Sequence, residues 1–222
     1  MSARDDILER VRGALGRAAT AGPPPPDYAS HALVPARGRG TPAECVARFV
    51  DMARETSATV DRVPAGADVP GAIAAYLARR DLPGRIVVAP ALDALPWAPA
   101  GLDIRRGPAA DGDAVSVTPV VAGIAETGTL MVRSGAATPY TLNFLPDTHI
   151  AVLYADDIVG CYEDAWARMR PRGETGGALP RTVTLITGPS RSSDIERTVT
   201  IGVHGPCALH IVLVGEADGE TA

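Results

Sequence analysis

The sequence predicts an α/β fold, a parallel-rich mixed sheet flanked by helices. Strand-like and helix-like segments alternate from about residue 41 onward. Residues 85–90 (RIVVAP) form a continuous apolar run, the pattern of a strand covered on both faces. In the middle of the chain, two β-rich runs, 115–121 and 128–132, flank the short stretch GIAETGT at 123–129. That feature makes the sheet mixed rather than purely parallel.

The elements follow in order. Residues 3–18 place Ile7, Leu8, Val11 and Leu15 at helical spacing, which predicts an amphipathic helix. Residues 22–26 (GPPPP) end it and form a stiff extended linker. Residues 1–40 are therefore expected to be a helical arm and linker, either docked on the domain or a partner or loosely attached, ahead of an α/β domain over 41–216. That domain opens at Thr41-Pro42-Ala43-Glu44, a capping box with proline at the first helical position, and its helix runs to about Glu55. A strand is expected at 58–63, a helix at 69–80 and the strand 85–90. After the central runs come a helix near 139–144 and a strand at 149–154. A helix is expected over 156–169, with Ile158, Tyr162, Ala165 and Met169 on one side. A Gly/Pro loop at 171–180 precedes a closing strand, helix and strand.

Composition narrows the function. The chain has 222 residues, room for one domain with an appendage, and a formal net charge of −5, which gives no support for nucleic-acid binding. All 21 basic residues are arginine, so neither a lysine-bearing phosphate loop nor lysine Schiff-base chemistry operates in this chain. Its 3 cysteines (Cys45, Cys161, Cys207) are scattered, with no C-x-x-C pair, and its 4 histidines lack compact ligand spacing. No metal site and no cofactor, iron–sulfur clusters included, are expected in this chain. The N-terminus lacks the apolar core of a signal peptide and no run reaches membrane-spanning length, so a cytoplasmic location is expected.

Three stretches could carry chemistry. Glu126 sits in the turn between the central β-rich runs with Thr127, Gly128 and Thr129. It suits a general base or nucleophile, the glycine admits close backbone approach, and the threonines can donate to a substrate oxygen. A solvent-facing hairpin turn explains the same residues. Residues 188–206 (GPSRSSDIERTVTIGVHGP) join two strand-like runs. Within them, Ser193 to Glu196 read as a capping box, with Ser190, Arg191 and Ser192 just before the helix start. Hydroxyls, amides and one guanidinium there suit a phosphate or carboxylate, although Asp194 and Glu196 bring negative charge and simple helix capping accounts for the motif. Because ligands of open α/β sheets collect where strands end and helices begin, this stretch is expected to form one lip of a crevice. His204, in the His204-Gly205-Pro206 turn, is either an acid, base or ligand-oxygen partner or a structural hydrogen-bonder. Asn143, Pro146, Asp147 and His149 either line the same crevice or serve turn chemistry.

Four ordered motifs, AETGT at 125–129, LPDTHIAVL at 145–153, GPSRSSDIE at 188–196 and GVHGP at 202–206, resemble the LUD domain family, in its C-type lactate utilization branch. The resemblance implies a NagB/RpiA/CoA-transferase-like fold with a smaller antiparallel excursion. It also implies a non-redox role in oxidising L-lactate to pyruvate, with two iron–sulfur lactate-utilization proteins as partners that carry the clusters. On this reading the chain binds a small carboxylate or phosphorylated ligand, with Glu126 and His204 as candidate catalytic residues. Thr127, Gly128, Thr129, Ser190, Ser193, Asp194 and Gly205 are the candidate ligand-binding residues. The Ala-Glu-Thr-Gly turn is also similar to the Ser-Glu-Asn-Gly nucleophile turn of class I CoA-transferases. It departs from that turn at two positions and lacks a glycine-rich CoA loop. A stand-alone CoA-transferase-like or sugar-phosphate isomerase-like enzyme using Glu126 is the alternative, and a pure assembly protein is a third.

Overall fold

In a computed structural model of the chain, residues 3–14, 34–169, 180–192 and 200–216 are described. The chain divides into two compact units, Met1–Leu33 and Val34–Ala222. The first contains α1 (Ala3–Ala14), whose residues are all solvent-exposed, Ile7 and Val11 among them.

The second unit is built on a six-stranded, all-parallel sheet in the order β1-β12-β7-β4-β2-β3. Its strands are β1 (Thr59–Val63), β2 (Arg85–Val88), β3 (Asp103–Arg106), β4 (Val115–Pro119), β7 (Thr148–Tyr154) and β12 (Ala208–Val214). The central strands are mostly apolar because both faces are covered, with Ser116, Thr118, Thr148, His149 and His210 as their buried polar residues. On one face, Ile150, Val152, Val212 and Val214 pack with Val69, Ile73, Tyr76 and Leu77 of α3 (Val69–Arg79). On the other, Ala151, Leu153, Leu209, Ile211 and Leu213 pack with Cys45, Val46, Phe49, Val50 and Ala53 of α2 (Pro42–Glu55). Helix α2 begins where expected. Thr41 Oγ1 accepts from Glu44 N–H at 3.3 Å, and Glu44 Oε2 accepts from Thr41 N–H at 2.7 Å. Replacing Thr41 with alanine removes this cap and is expected to lower stability by about 1 kcal/mol in urea unfolding, with an unchanged m-value.

A second, four-stranded sheet of β5 (Ala122–Ile124), β6 (Thr129–Arg133), β8 (Ile158–Val159) and β9 (Val183–Ile186), in the order β8-β5-β6-β9, lies over the α2 side. Leu130 and Val132 join the core beneath α2, whereas Ala122, Ile124 and Met131 turn to the opposite face. There they meet Ala165 and Met169 of α4 (Tyr162–Met169). A small hairpin of β10 (Arg191–Ser192) and β11 (Thr200–Ile201) completes the strands.

Three expectations are corrected here. The run 115–121 does not pair across the Glu126 turn. The chain changes sheets between Val120, whose N–H donates to Val152 O in β7, and Val121, whose N–H donates to Met131 O in β6. The strand that pairs with β6 is therefore the three-residue β5. The helix expected over 156–169 begins only at Tyr162, because residues 158–159 add a parallel strand to β5. The helix near 139–144 is a single 3₁₀ turn, Tyr140–Asn143. The helix expected to start at Ser193 lies outside the described residues, and its flanks Arg191–Ser192 and Thr200–Ile201 pair antiparallel. Among the described residues, no helix is long and apolar enough to cross a membrane.

Candidate functional site

One crevice gathers most of the polar groups that the core leaves unused. It is a cavity of ≈ 210 Å³ between the starts of β7 and β12, the strand β9 and the turns on either side of the β10–β11 hairpin. Asn143 and His149 form one wall, Thr187 and Ser190 a second, and His204 and Gly205 the third, with Phe144 and Leu185 supplying apolar surface. His149 and Leu209 are each the second residue of their strand, so the crevice opens at the amino ends of the parallel strands. That reverses the expected location at the carboxyl ends. The reason is topological. β9 and the segment after it line this edge together with His149 and Leu209 before the chain enters β12 at Ala208.

Two backbone features make that path possible. Gly188 has φ +74°, and a Cβ there would lie 2.2 Å from Thr56 O, so only glycine lets the chain leave β9 against the end of α2. Ser190 N–H then donates to Pro206 O at 2.9 Å and Gly202 N–H to Ser190 O at 3.0 Å, clamping the two arms of the 188–206 segment together. The Ser190 hydroxyl accepts from His204 N–H at 3.4 Å. The structure thus brings Ser190, His204 and Gly205 into one site, as the motifs suggest. Ser193 and Asp194 lie outside the described residues.

The chemistry is set by two orphaned atoms. Asn143 is 5% exposed and its Oδ1 is buried with no hydrogen-bond partner among the described residues. His149 is 1% exposed, its Nε2 is 2.7 Å from Thr118 Oγ1, and its Nδ1 is likewise buried and unpartnered. Buried polar groups are ordinarily satisfied, and leaving one unpaired costs about 1–3 kcal/mol. The two residues that carry these atoms line one small cavity. Burial pushes the His149 imidazole down to about 4, so it is neutral near pH 7 and acts as a hydrogen-bonding group rather than a cation. The sequence signal for these residues is a histidine inside the apolar strand THIAVLY, six positions after an asparagine.

The Glu126 turn sits elsewhere. Glu126 is 5% exposed and lies outside the cavity wall. Its Oε1 accepts from Tyr162 N–H at 3.3 Å at the start of α4, and its own N–H donates to Gly160 O at 3.1 Å. The carboxylate faces the positive end of a helix, as a helix-start partner does. Gly128 packs on α2, where a Cβ would lie 2.4 Å from Ala53 N. Thr127 and Thr129 belong to a hydroxyl cluster with Tyr162. In it, Thr129 Oγ1 lies 2.7 Å from Thr127 Oγ1, 3.1 Å from Tyr162 Oη and 2.7 Å from Thr187 Oγ1. Because Thr187 lines the crevice, Thr129 touches the site at one remove.

A family model described as the LUD domain matches residues 109–214, which span the central turn, β7, β9 and the crevice-forming segment. A curated relative called lactate utilization protein C, from Deinococcus radiodurans, is 32% identical over 180 residues, covering 78% of this chain and 81% of its own length. The chain belongs to the LUD domain family, in its lactate utilization protein C branch. Another LUD relative of that name, from Geobacillus sp. (strain WCH70), is 38% identical over 91 residues. That match takes in 41% of this chain, and the chain spans only 38% of that relative's length. The LUD fold is also seen in a crystal structure of a DUF162 family protein from Deinococcus radiodurans. It superposes with a TM-score of 0.59 at 27% identity, covering 80% of this chain and 100% of that one.

Proposed function

We propose that the protein is a non-redox component of an L-lactate oxidation system, holding a small 2-hydroxy or 2-oxo acid in the crevice at the amino ends of β7 and β12. The single observation that carries this reading is that Asn143 and His149, whose Oδ1 and Nδ1 are buried with no partner among the described residues, line one cavity. A 2-hydroxy acid presents a hydroxyl donor beside carboxylate acceptors. Asn143 Oδ1 accepts from the hydroxyl. When Thr118 donates to His149 Nε2, the ring proton sits on Nδ1 and donates to a carboxylate oxygen. A 2-oxo acid keeps the second contact and loses the first, which favours the reduced ligand. The relatives' shared name, lactate utilization protein C, supports lactate as the acid. Oxidising lactate to pyruvate releases two electrons and two protons, and in this reading they pass to iron–sulfur partner proteins.

The reading is tested by calorimetric titration of L-lactate into the wild-type protein, Asn143→Leu and Glu126→Gln. Asn143→Leu replaces an unsatisfied amide with an apolar group of similar size, so it is expected to raise the melting temperature while weakening lactate binding at least about tenfold. Glu126→Gln, outside the cavity wall, is expected to bind lactate as wild type does. Absence of lactate binding to the wild type, or equal binding by Asn143→Leu, would overturn the reading. Loss of binding in Glu126→Gln alone would return the site to the central turn.

A further inference from the structure

A second cavity of ≈ 310 Å³ adjoins the first, and Pro189 and Leu209 belong to the walls of both. The two differ in charge. The first has no arginine in its wall, and this chain has no lysine to reach in from elsewhere, so an acid held there meets no permanent cation. The second is lined by two arginines, Arg80 and Arg191, together with Ser57 and Thr59, and by no acidic side chain among the described residues.

Neither guanidinium forms an ion pair among the described residues. Arg80 is the residue that ends α3, and it forms no ion pair among the described residues. Its neighbour Arg79 is the one engaged, with Asp61 at 2.5 Å. Arg191 is held from the opposite side of the cavity by a bond from Nη2 to Thr56 O at 2.8 Å, which fixes the side chain without cancelling its charge. Two elements far apart in sequence therefore present to one pocket guanidinium groups that have no acidic partner among the described residues. Beside them the Ser57 hydroxyl makes no hydrogen bond among the described residues, and Ser57 adopts a left-handed φ of 71°. Paired guanidinium groups with a nearby hydroxyl suit a planar or tetrahedral oxyanion.

We infer that this second cavity is an anion site, taking a phosphate or carboxylate group through Arg80 and Arg191 next to the acid-binding crevice. The same chemistry has two sources. The anion is either a phosphate group or the carboxylate of a second acid molecule, separate from the one proposed for the crevice across the Pro189–Leu209 wall.

The test follows arginine Nε–Hε signals by NMR during titration with inorganic phosphate and, separately, with L-lactate, in the wild type, Arg80→Gln, Arg191→Gln and Asn143→Leu. The expected result is that phosphate shifts two arginine signals and that each arginine variant weakens its binding about tenfold. Asn143→Leu leaves the phosphate response intact, so this site stands even if the lactate reading fails. If lactate also shifts these signals, competes with phosphate and weakens in the arginine variants, the anion is the carboxylate of a second acid molecule. If lactate binding is indifferent to both variants, the site takes a separate phosphate group. Wild-type arginine signals that respond to neither ligand, or binding unchanged in both arginine variants, would overturn the inference.

Discussion

Replacing Gly128 with alanine is expected to lower the unfolding free energy by about 2–5 kcal/mol, the sum of left-handed backbone strain and overpacking against a rigid neighbour. Gly128 has φ +65°, and a Cβ there would approach Ala53 N to 2.4 Å and the Met52 carbonyl carbon to 2.6 Å. The obstacle is the backbone of α2, not a flexible side chain, so relief requires the β5–β6 turn and the helix to separate. That movement would open the core formed by Phe49, Ala53 and Leu130, all of which are fully buried. Chemical denaturation of Gly128→Ala beside the wild type measures the loss. A change under 1 kcal/mol would show that the turn does not bear on the helix. The AETGT motif is on this account chiefly a packing device, with its glycine fixing the hairpin on α2 and its second threonine buttressing Thr187.

Acid is expected to destabilise the fold well above the range in which most carboxylates titrate. His149 and His210 are both buried, and burial pushes each imidazole down from 6.5 to about 4. For His210 the Asp61 carboxylate opposes that shift and Arg79 adds to it. The ring is further held by stacking on Tyr76 at 3.8 Å and by a 2.8 Å bond between Nδ1 and Thr59 Oγ1. Between these limits the unfolded chain binds protons that the native state refuses, so stability rises with pH there. The contribution is complete above about pH 6.5 and is lost progressively as pH falls toward 4, on the order of 3 kcal/mol for each histidine. Unfolding free energies measured from pH 7 to 5 should decline with a slope approaching two protons, and His149→Gln should reduce that slope by about one. A flat profile over this interval would show that the two rings are hydrated and protonate freely.

The fold was legible where local signals and burial agree. The capping box at Thr41 starts α2 at the residue expected, and the apolar runs at 85–88, 149–154 and 209–214 are central strands. It was least legible where an element exists only through a distant partner. β5 and β8 have three and two residues, too few for any periodicity, and they form because Gly123 and Ile124 pair with Ile158 and Val159. The spacing of Ile158 with Tyr162, Ala165 and Met169 imitates one helix face. In fact Ile158 packs in the α2 core while the other three pack in the α4 core.

The site divides along the same line. Ser190, His204 and Gly205 lie in one continuous motif, and the chain turns back on itself to bring them together. Asn143 and His149 join them only in the folded chain, where β9 and the segment after it lie beside the amino ends of β7 and β12. Nothing in the sequence around Glu126 shows that its carboxylate is spent on the Tyr162 amide rather than facing the crevice.

In the proposed function an acid binds at the amino ends of the parallel strands, beside Asn143 and His149, which carry two of the three buried side-chain atoms with no partner among the described residues. The most direct measurement is the ¹⁵N NMR spectrum of the His149 imidazole, assigned with His149→Gln, during titration with L-lactate. The expected result is a saturable shift of the His149 Nδ1 resonance at constant protonation, moved to at least about tenfold higher lactate concentration in Asn143→Leu and unchanged in Glu126→Gln. Saturable lactate binding that leaves the His149 Nδ1 resonance unmoved would contradict it.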